Sequence, residues 1–189
     1  MTMLIVLLDA CVLYPAPLRD LLMHLTLADL FQAKWSADIH KEWMRNVLAN
    51  RPDLTLAQLK RTQKLMDENV RDCLVHGYKK LIPYLSLPDE NDRHVLAAAI
   101  QSSAQTLLTY NLKDFPTKIT KKYGIKAMHP DVFLYHLLQG YPERFCAAVK
   151  RLRLSLKHPP MCEKKYLEVL AQQRLPKTVS VLQNYTQFI

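Results

Sequence analysis

Met3-Leu4-Ile5-Val6-Leu7-Leu8-Asp9 is the stretch that decides the fold. An unbroken apolar run containing β-branched Ile5 and Val6 reads as a strand buried on both faces, the kind found in parallel sheets. An acid that closes such a strand stands where an open α/β sheet presents its ligand crevice, beyond the carboxyl ends of the strands. Working outward, Gln32–Ser36, Lys80–Leu85, Gln105–Thr109 and Ile125–Met128 read as further strands.

Helical patterns fill the spaces between them. Pro17 is placed to start a helix whose apolar stripe is Leu18, Leu21, Leu22, Leu25 and Leu30. A second pattern runs from Ala37 to Ala49, with Ile39, Trp43, Val47 and Leu48 on one face, and a third runs from Thr55 to Val75. Pro88-Asp89-Glu90-Asn91-Asp92 opens a small-residue helix, His94 to Ile100; its acids suit the positive end of the helix dipole, and Asp89 reads as the cap. Strands alternating with helices predict an α/β sandwich around a mostly parallel sheet. From Pro130 the pattern turns to short helices broken by Pro142, Pro159-Pro160 and Pro176, with Asp131 as an N-cap. We therefore divide the chain into an α/β domain over residues 1–135 and a basic helical extension over 136–189.

Composition narrows the function classes. The 189 residues include only three glycines, Gly77, Gly124 and Gly140, which excludes a Gly-rich phosphate loop. Cys11, Cys73, Cys146 and Cys162 form no C-x-x-C pair, so structural zinc is not expected and a reducing cytoplasmic setting is. The Met3–Leu8 run is too short to span a membrane and lacks the flanks of a signal peptide. A formal net charge of +9 points to a polyanionic partner, nucleic acid first.

Within this basic chain four acidic positions fall at strand ends or on helices: Asp9, Glu42, Asp92, and Asp114 with its neighbour Asn111. Carboxylates gathered from distant segments repel one another unless a cation holds them, and hard oxygen donors suit Mg²⁺ or Mn²⁺. The ordered set Leu8-Asp9-Ala10-Cys11, Ser36…Glu42-Trp43, Asp92-Arg93-His94-Val95-Leu96-Ala97-Ala98 and Thr109-Tyr110-Asn111-Leu112-Lys113-Asp114-Phe115 resembles the PIN-domain nucleases, particularly the toxin subunits of VapBC-type toxin–antitoxin pairs. The resemblance covers about residues 1–135. The basic tail is similar to the extension of one subgroup.

The resemblance implies a PIN-like three-layer sandwich and a metal-dependent endoribonuclease acting on RNA. Asp9, Glu42, Asp92 and Asp114 would be its catalytic and metal-binding residues, with Asn111 an alternative to Asp114. Arg19, Arg93, Lys113 and Asn111 would bind substrate, with Lys34, Lys118, Lys121, Lys122 and the tail adding charge. It also implies a cognate antitoxin and a homodimer. One departure is Cys11, where many relatives carry Asn, Ser or Thr; this predicts weaker support for the site. A non-catalytic nucleic-acid-binding module and a nuclease acting on single-stranded DNA remain the alternatives. A haloacid-dehalogenase-like phosphohydrolase is set aside, because Cys11 occupies the place of its second acid.

Overall fold

The computed structural model describes residues 3–157 and 159–189. In chain order the elements begin with β1 (Ile5–Leu8), α1 (Ala10–Leu13), α2 (Ala16–Leu27), β2 (Gln32–Ser36), α3 (Ala37–Asn50), α4 (Leu56–Asn69) and β3 (Leu74–Val75). They continue with α5 (Arg93–Gln101), β4 (Thr106–Leu108), α6 (Thr117–Thr120) and β5 (Lys126–Met128), and end with α7 (Pro130–Gly140), α8 (Pro142–Ser155), α9 (Glu163–Ala171) and α10 (Pro176–Leu182). They form two compact units, one of residues 1–14 and 31–129, the other of residues 15–30 and 130–189. The boundary read at 135/136 falls inside α7. The helix following Pro15 also joins the second unit, because its Leu18, Leu21, Leu22 and Leu25 are buried there in packing that involves α8.

In the first unit the described strands make one sheet in the order β3-β2-β1-β4-β5, every pairing parallel. The α/β class read from the sequence is the observed one. β1 lies at the centre, with Val6 beside Ala33 on one side and Thr106 on the other. Val6, Leu7 and Leu8 are wholly buried, each contributing roughly 1.5–3 kcal/mol. Strand order runs outward from β1 in both directions, so the switch point lies between β1 and β4. Pairing continues one residue past β1, where the Asp9 amide donates to the Leu108 carbonyl at 3.1 Å. Asp9 and Thr109 thus leave the sheet side by side.

Local chemistry sets the helix positions. The Ser36 hydroxyl accepts the Ile39 amide at 3.2 Å and starts α3 directly from β2. Thr55 and Gln58 form a reciprocal capping box that starts α4. Behind α3 a polar network crosses the core: Asp67 accepts from Trp35 Nε1 at 2.7 Å and contacts His40 Nε2 at 3.0 Å, while Trp43 Nε1 donates to His40 Nδ1 at 2.9 Å. The Trp43 donor makes Nδ1 an acceptor, so neutral His40 carries its proton on Nε2. Burial lowers the His40 pKa and favours that neutral form.

Two elements differ from the sequence reading. Lys80–Leu85 is not a strand; it belongs to a 3-10 segment, Tyr78–Tyr84, that packs on α5. Pro83 has no amide to give a ladder, and Gly77 at φ 74° turns the chain into the 3-10 path. The third strand is instead Leu74–Val75, cut from the end of the expected long helix. α4 stops at Asn69 because Val70 is already extended and Asp72 takes φ 50°.

The second unit is helical and closed by polar staples. Asp131 does not cap its own helix. Lying in the first turn of α7, it accepts the Lys177 and Thr178 amides at 3.0 and 2.9 Å, and so caps α10, whose own N-cap residue Leu175 offers no side-chain acceptor. Arg144 on α8 donates to the Ala28 and Asp29 carbonyls at the end of α2. Arg153 reaches the Met161 and Ile189 carbonyls and pairs with Glu163 at 2.7 Å.

Asp131→Ala leaves two amides beside a buried site without an acceptor, so we expect a loss of about 1–3 kcal/mol. Urea unfolding of the parent and the variant checks this. An unchanged midpoint would refute the cross-helix cap.

Candidate active site

The cleft lies in the first unit, at the carboxyl end of the sheet. Its volume is about 660 Å³, and it is lined by Asp38, Lys41, Glu42, Arg45, Asp89, Asn91, Asp92, His94, Asn111 and Asp114. Three segments supply these residues. The Ser36 cap fixes the phase of α3, so residues 38, 41, 42 and 45 share one face at helical spacing. A 3-10 turn, Glu90–Asp92, leads into α5; Asp89 caps it by accepting the Asn91 amide at 2.8 Å, as the sequence predicts. The loop after β4 brings Asn111 and Asp114, joined by a turn in which the Asp114 amide donates to the Asn111 carbonyl at 3.0 Å.

Of the four acids singled out from the sequence, Glu42, Asp92 and Asp114 line the cleft, and Asn111 lines it with them. Asp9 is 4% exposed and sits behind that lining, close enough that its charge raises the Asp92 pKa. Thr109 Oγ1 donates to Asp9 Oδ2 at 2.7 Å, and the Cys11 thiol donates to the same oxygen at 3.0 Å. Cys11 therefore touches Asp9 directly, through a thiol hydrogen bond.

The charge balance follows from this crowding. Burial, opposed by the hydrogen bonds from Cys11 and Thr109, raises Asp9 above the ordinary carboxylate range, and Glu42 adds to the rise. Asp92 is pushed up to about 7, first by burial and then by the charges of Asp9, Asp89, Asp114 and Glu42. Its carboxyl holds a proton near neutrality unless a positive charge enters. Burial and the Asp9 charge also raise the Cys11 thiol, so it stays protonated and able to donate.

Residues expected to grip substrate are placed differently. Arg19 is 8% exposed, belongs to the second unit, and faces Asp20 at 3.7 Å; its aliphatic neighbours on α2 carried it into packing. Arg93 is engaged by Glu90 through a 2.8 Å ion pair and by the Glu90 carbonyl. Lys113 is exposed, and Lys34 is tied to the Asp72 carbonyl. None of the four lines the cleft. The cations that do are Lys41 and Arg45, which the sequence reading passed over. Lys41 pairs with Asp38 at 3.3 Å. His94, at the start of the small-residue helix, lines the cleft and meets Glu42 at 3.3 Å. Trp35 and Trp43 are wholly buried in the core.

The donor set is one of carboxylate and amide oxygens, which fits a hard divalent cation better than zinc. Among the described residues no three His, Cys, Asp or Glu side chains form a ready-made cage. Mg²⁺ asks for less, because it retains several waters and uses one or two carboxylates.

Comparison with known proteins agrees in both units. A family model described as PIN domain matches residues 5–113, and one described as VapC50 C-terminal domain matches residues 130–184. A curated Mycobacterium tuberculosis protein named "Putative ribonuclease VapC50" is 39% identical over 97 residues, covering 51% of this chain and 57% of that protein. The chain thus aligns with little more than half the length of that relative. No solved structure matches.

Removing the Asp92 charge has a pH-dependent signature. The folded pKa of about 7 lies above the ordinary 3.8, so the protonated form stabilises the fold. That stability is complete below about pH 4 and is lost as pH rises through about 7. In EDTA, Asp92→Asn should therefore melt above the parent at pH 8 and level with it at pH 4. Equal melting temperatures across that range would contradict the crowding.

Proposed function

The chain belongs to the PIN-domain family, and from that premise we propose that it is a divalent-metal-dependent endoribonuclease, the toxin of a type II toxin–antitoxin pair. The observation that carries the reading is the convergence of Glu42, Asp89, Asp92 and Asp114 on one cleft, with Asp9 behind them, in a chain of net charge +9. An acidic nest of this kind is costly in a folded protein, and a cation in it removes the cost.

In this reading Asp9 and Asp92 are the principal ligands, and Glu42 and Asp114 complete the nest directly or through water. Mg²⁺ or Mn²⁺, when bound, supplies Lewis acidity for in-line attack of water on phosphorus. The protein's own groups do the rest. Asp92 would hold the cation once its proton has left, and Glu42 keeps His94 beside the cleft. Asn111 offers an amide to the strand, and Lys41 and Arg45, on the α3 wall, meet the phosphates flanking the scissile bond. Metal-assisted hydrolysis needs no histidine base, so His94 is assigned no proton transfer.

RNA as substrate, an antitoxin partner, a homodimer and a cytoplasmic setting form part of the same reading; their support is the named relative and the basic charge. In the described residues no helix is long and apolar enough to cross a membrane. The α/β domain of residues 1–135 would carry the chemistry and the helical extension the accessory contacts. A single-stranded DNA substrate is the competing reading, separated by parallel cleavage assays on both polymers.

Two expectations test the assignment. Asp9→Ala and Asp92→Ala should each abolish Mg²⁺-dependent RNA cleavage while keeping the parent's circular dichroism; full cleavage by purified Asp92→Ala sinks it. Arg45→Ala should weaken RNA binding and lower the slope of log K against log salt by about 1, the loss of one phosphate contact. An unchanged slope would remove Arg45 from the interface.

A further inference from the structure

The loop after β4 presents two consecutive backbone amides to two side chains that both end on Asp9. The Tyr110 amide donates to Cys11 Sγ at 3.3 Å, and the Asn111 amide donates to Thr109 Oγ1 at 2.9 Å. Each acceptor then passes its own hydrogen to Asp9 Oδ2, sulfur at 3.0 Å and oxygen at 2.7 Å. The two relays stand side by side, with Cys11 Sγ and Thr109 Oγ1 3.4 Å apart. An incoming amide hydrogen occupies the lone-pair side of each atom, so the S–H and O–H hydrogens are directed to the carboxylate. Both side-chain donors converge on one oxygen. Among the described residues Oδ1 receives no side-chain donor, and the Ala10 backbone amide is a further, smaller influence on the carboxylate.

We propose that Cys11 is a positioning residue: together with Thr109 it clamps Asp9 through Oδ2, so that Asp9 offers a cation Oδ1 alone. The thiol is a full partner in this clamp, where a hydroxyl or amide would serve in a relative carrying another residue. The requirement at position 11 is a group that accepts the Tyr110 amide and donates to Asp9 at once. Serine satisfies both demands with a shorter reach; alanine and valine satisfy neither. A clamped single oxygen also explains how Asp9 contributes from behind the cleft lining. Outer groups that orient a ligand commonly govern metal affinity by tenfold or more.

The inference rests on the metal-binding reading above, and the experiment separates the two. Mn²⁺ titration calorimetry on the full chain compares the parent with Asp9→Asn, Cys11→Ala, Cys11→Val and Cys11→Ser, with melting temperatures taken in EDTA. We expect Asp9→Asn to lose Mn²⁺ uptake, and Cys11→Ala and Cys11→Val to weaken it by about tenfold. Cys11→Ser should recover most of the affinity. Valine fills the thiol's volume, so agreement between Ala and Val separates the lost donor from a packing defect, and either one suffices if the other fails to fold. Parent-like affinity in both overturns the clamp while leaving the metal site standing, provided Asp9→Asn still loses uptake. Affinity lost equally in Cys11→Ser also overturns it, since the donor would then not be what matters. A parent that takes up no Mn²⁺ removes the metal reading and the clamp with it.

Discussion

The Asp9 carboxylate ends the central strand of the sheet at a place with almost no access to water. Burying it is expensive, and the fold meets that expense from two sides: Thr109 reaches across from the end of β4, and Cys11 from the one-turn helix after β1. The arrangement works only at the switch point, where two adjacent parallel strands separate and leave room between their ends. Sheet order is thus a condition of the site. If β4 were elsewhere, Asp9 would be a buried acid at the end of the core strand without its Thr109 donor.

Much of this was legible in the residues, because the pattern and the physics coincide. Buried parallel strands are apolar throughout, so Met3–Leu8 and Gln105–Thr109 declared themselves, and the small-residue helix after Asp92 did the same. Lys80–Leu85 misled because its apolar content came with Pro83, whose missing amide outweighs the pattern. Leu74–Val75 was hidden by brevity at the end of a helix-like run. In the cleft, Lys41 and Arg45 became visible only once the Ser36 cap fixed the phase of α3, since a helix of that length offers several cationic faces. The part Cys11 plays was hidden because a thiol is a weak hydrogen-bonding group whose partners cannot be named until its neighbours are known. Tyr110 and Asn111 supply that knowledge, and they lie 99 and 100 residues away.

The second unit uses charge differently from the first. Its positive residues read in sequence as a surface for polyanions, yet Arg144 and Arg153 are spent on helix ends and loop carbonyls. Asp131 shows the same economy with a negative group, serving a helix that starts 45 residues later. Short helices separated by prolines have many unsatisfied ends, and long polar side chains are the means by which this unit satisfies them. The charge available for binding is therefore smaller than the count suggests. In the first unit Arg93 and Lys34 are engaged in the same way, but Lys41 and Arg45 stand in the cleft itself.

The clamp on Asp9 joins the first tenth of the chain to residues 109–111. A ribosome releases those segments far apart in time. Until β4 has been made, Asp9 has its Cys11 neighbour but lacks Thr109 and the Tyr110 amide that complete the clamp. The acidic nest is therefore complete only after the loop following β4, which carries Asn111 and Asp114, has been added.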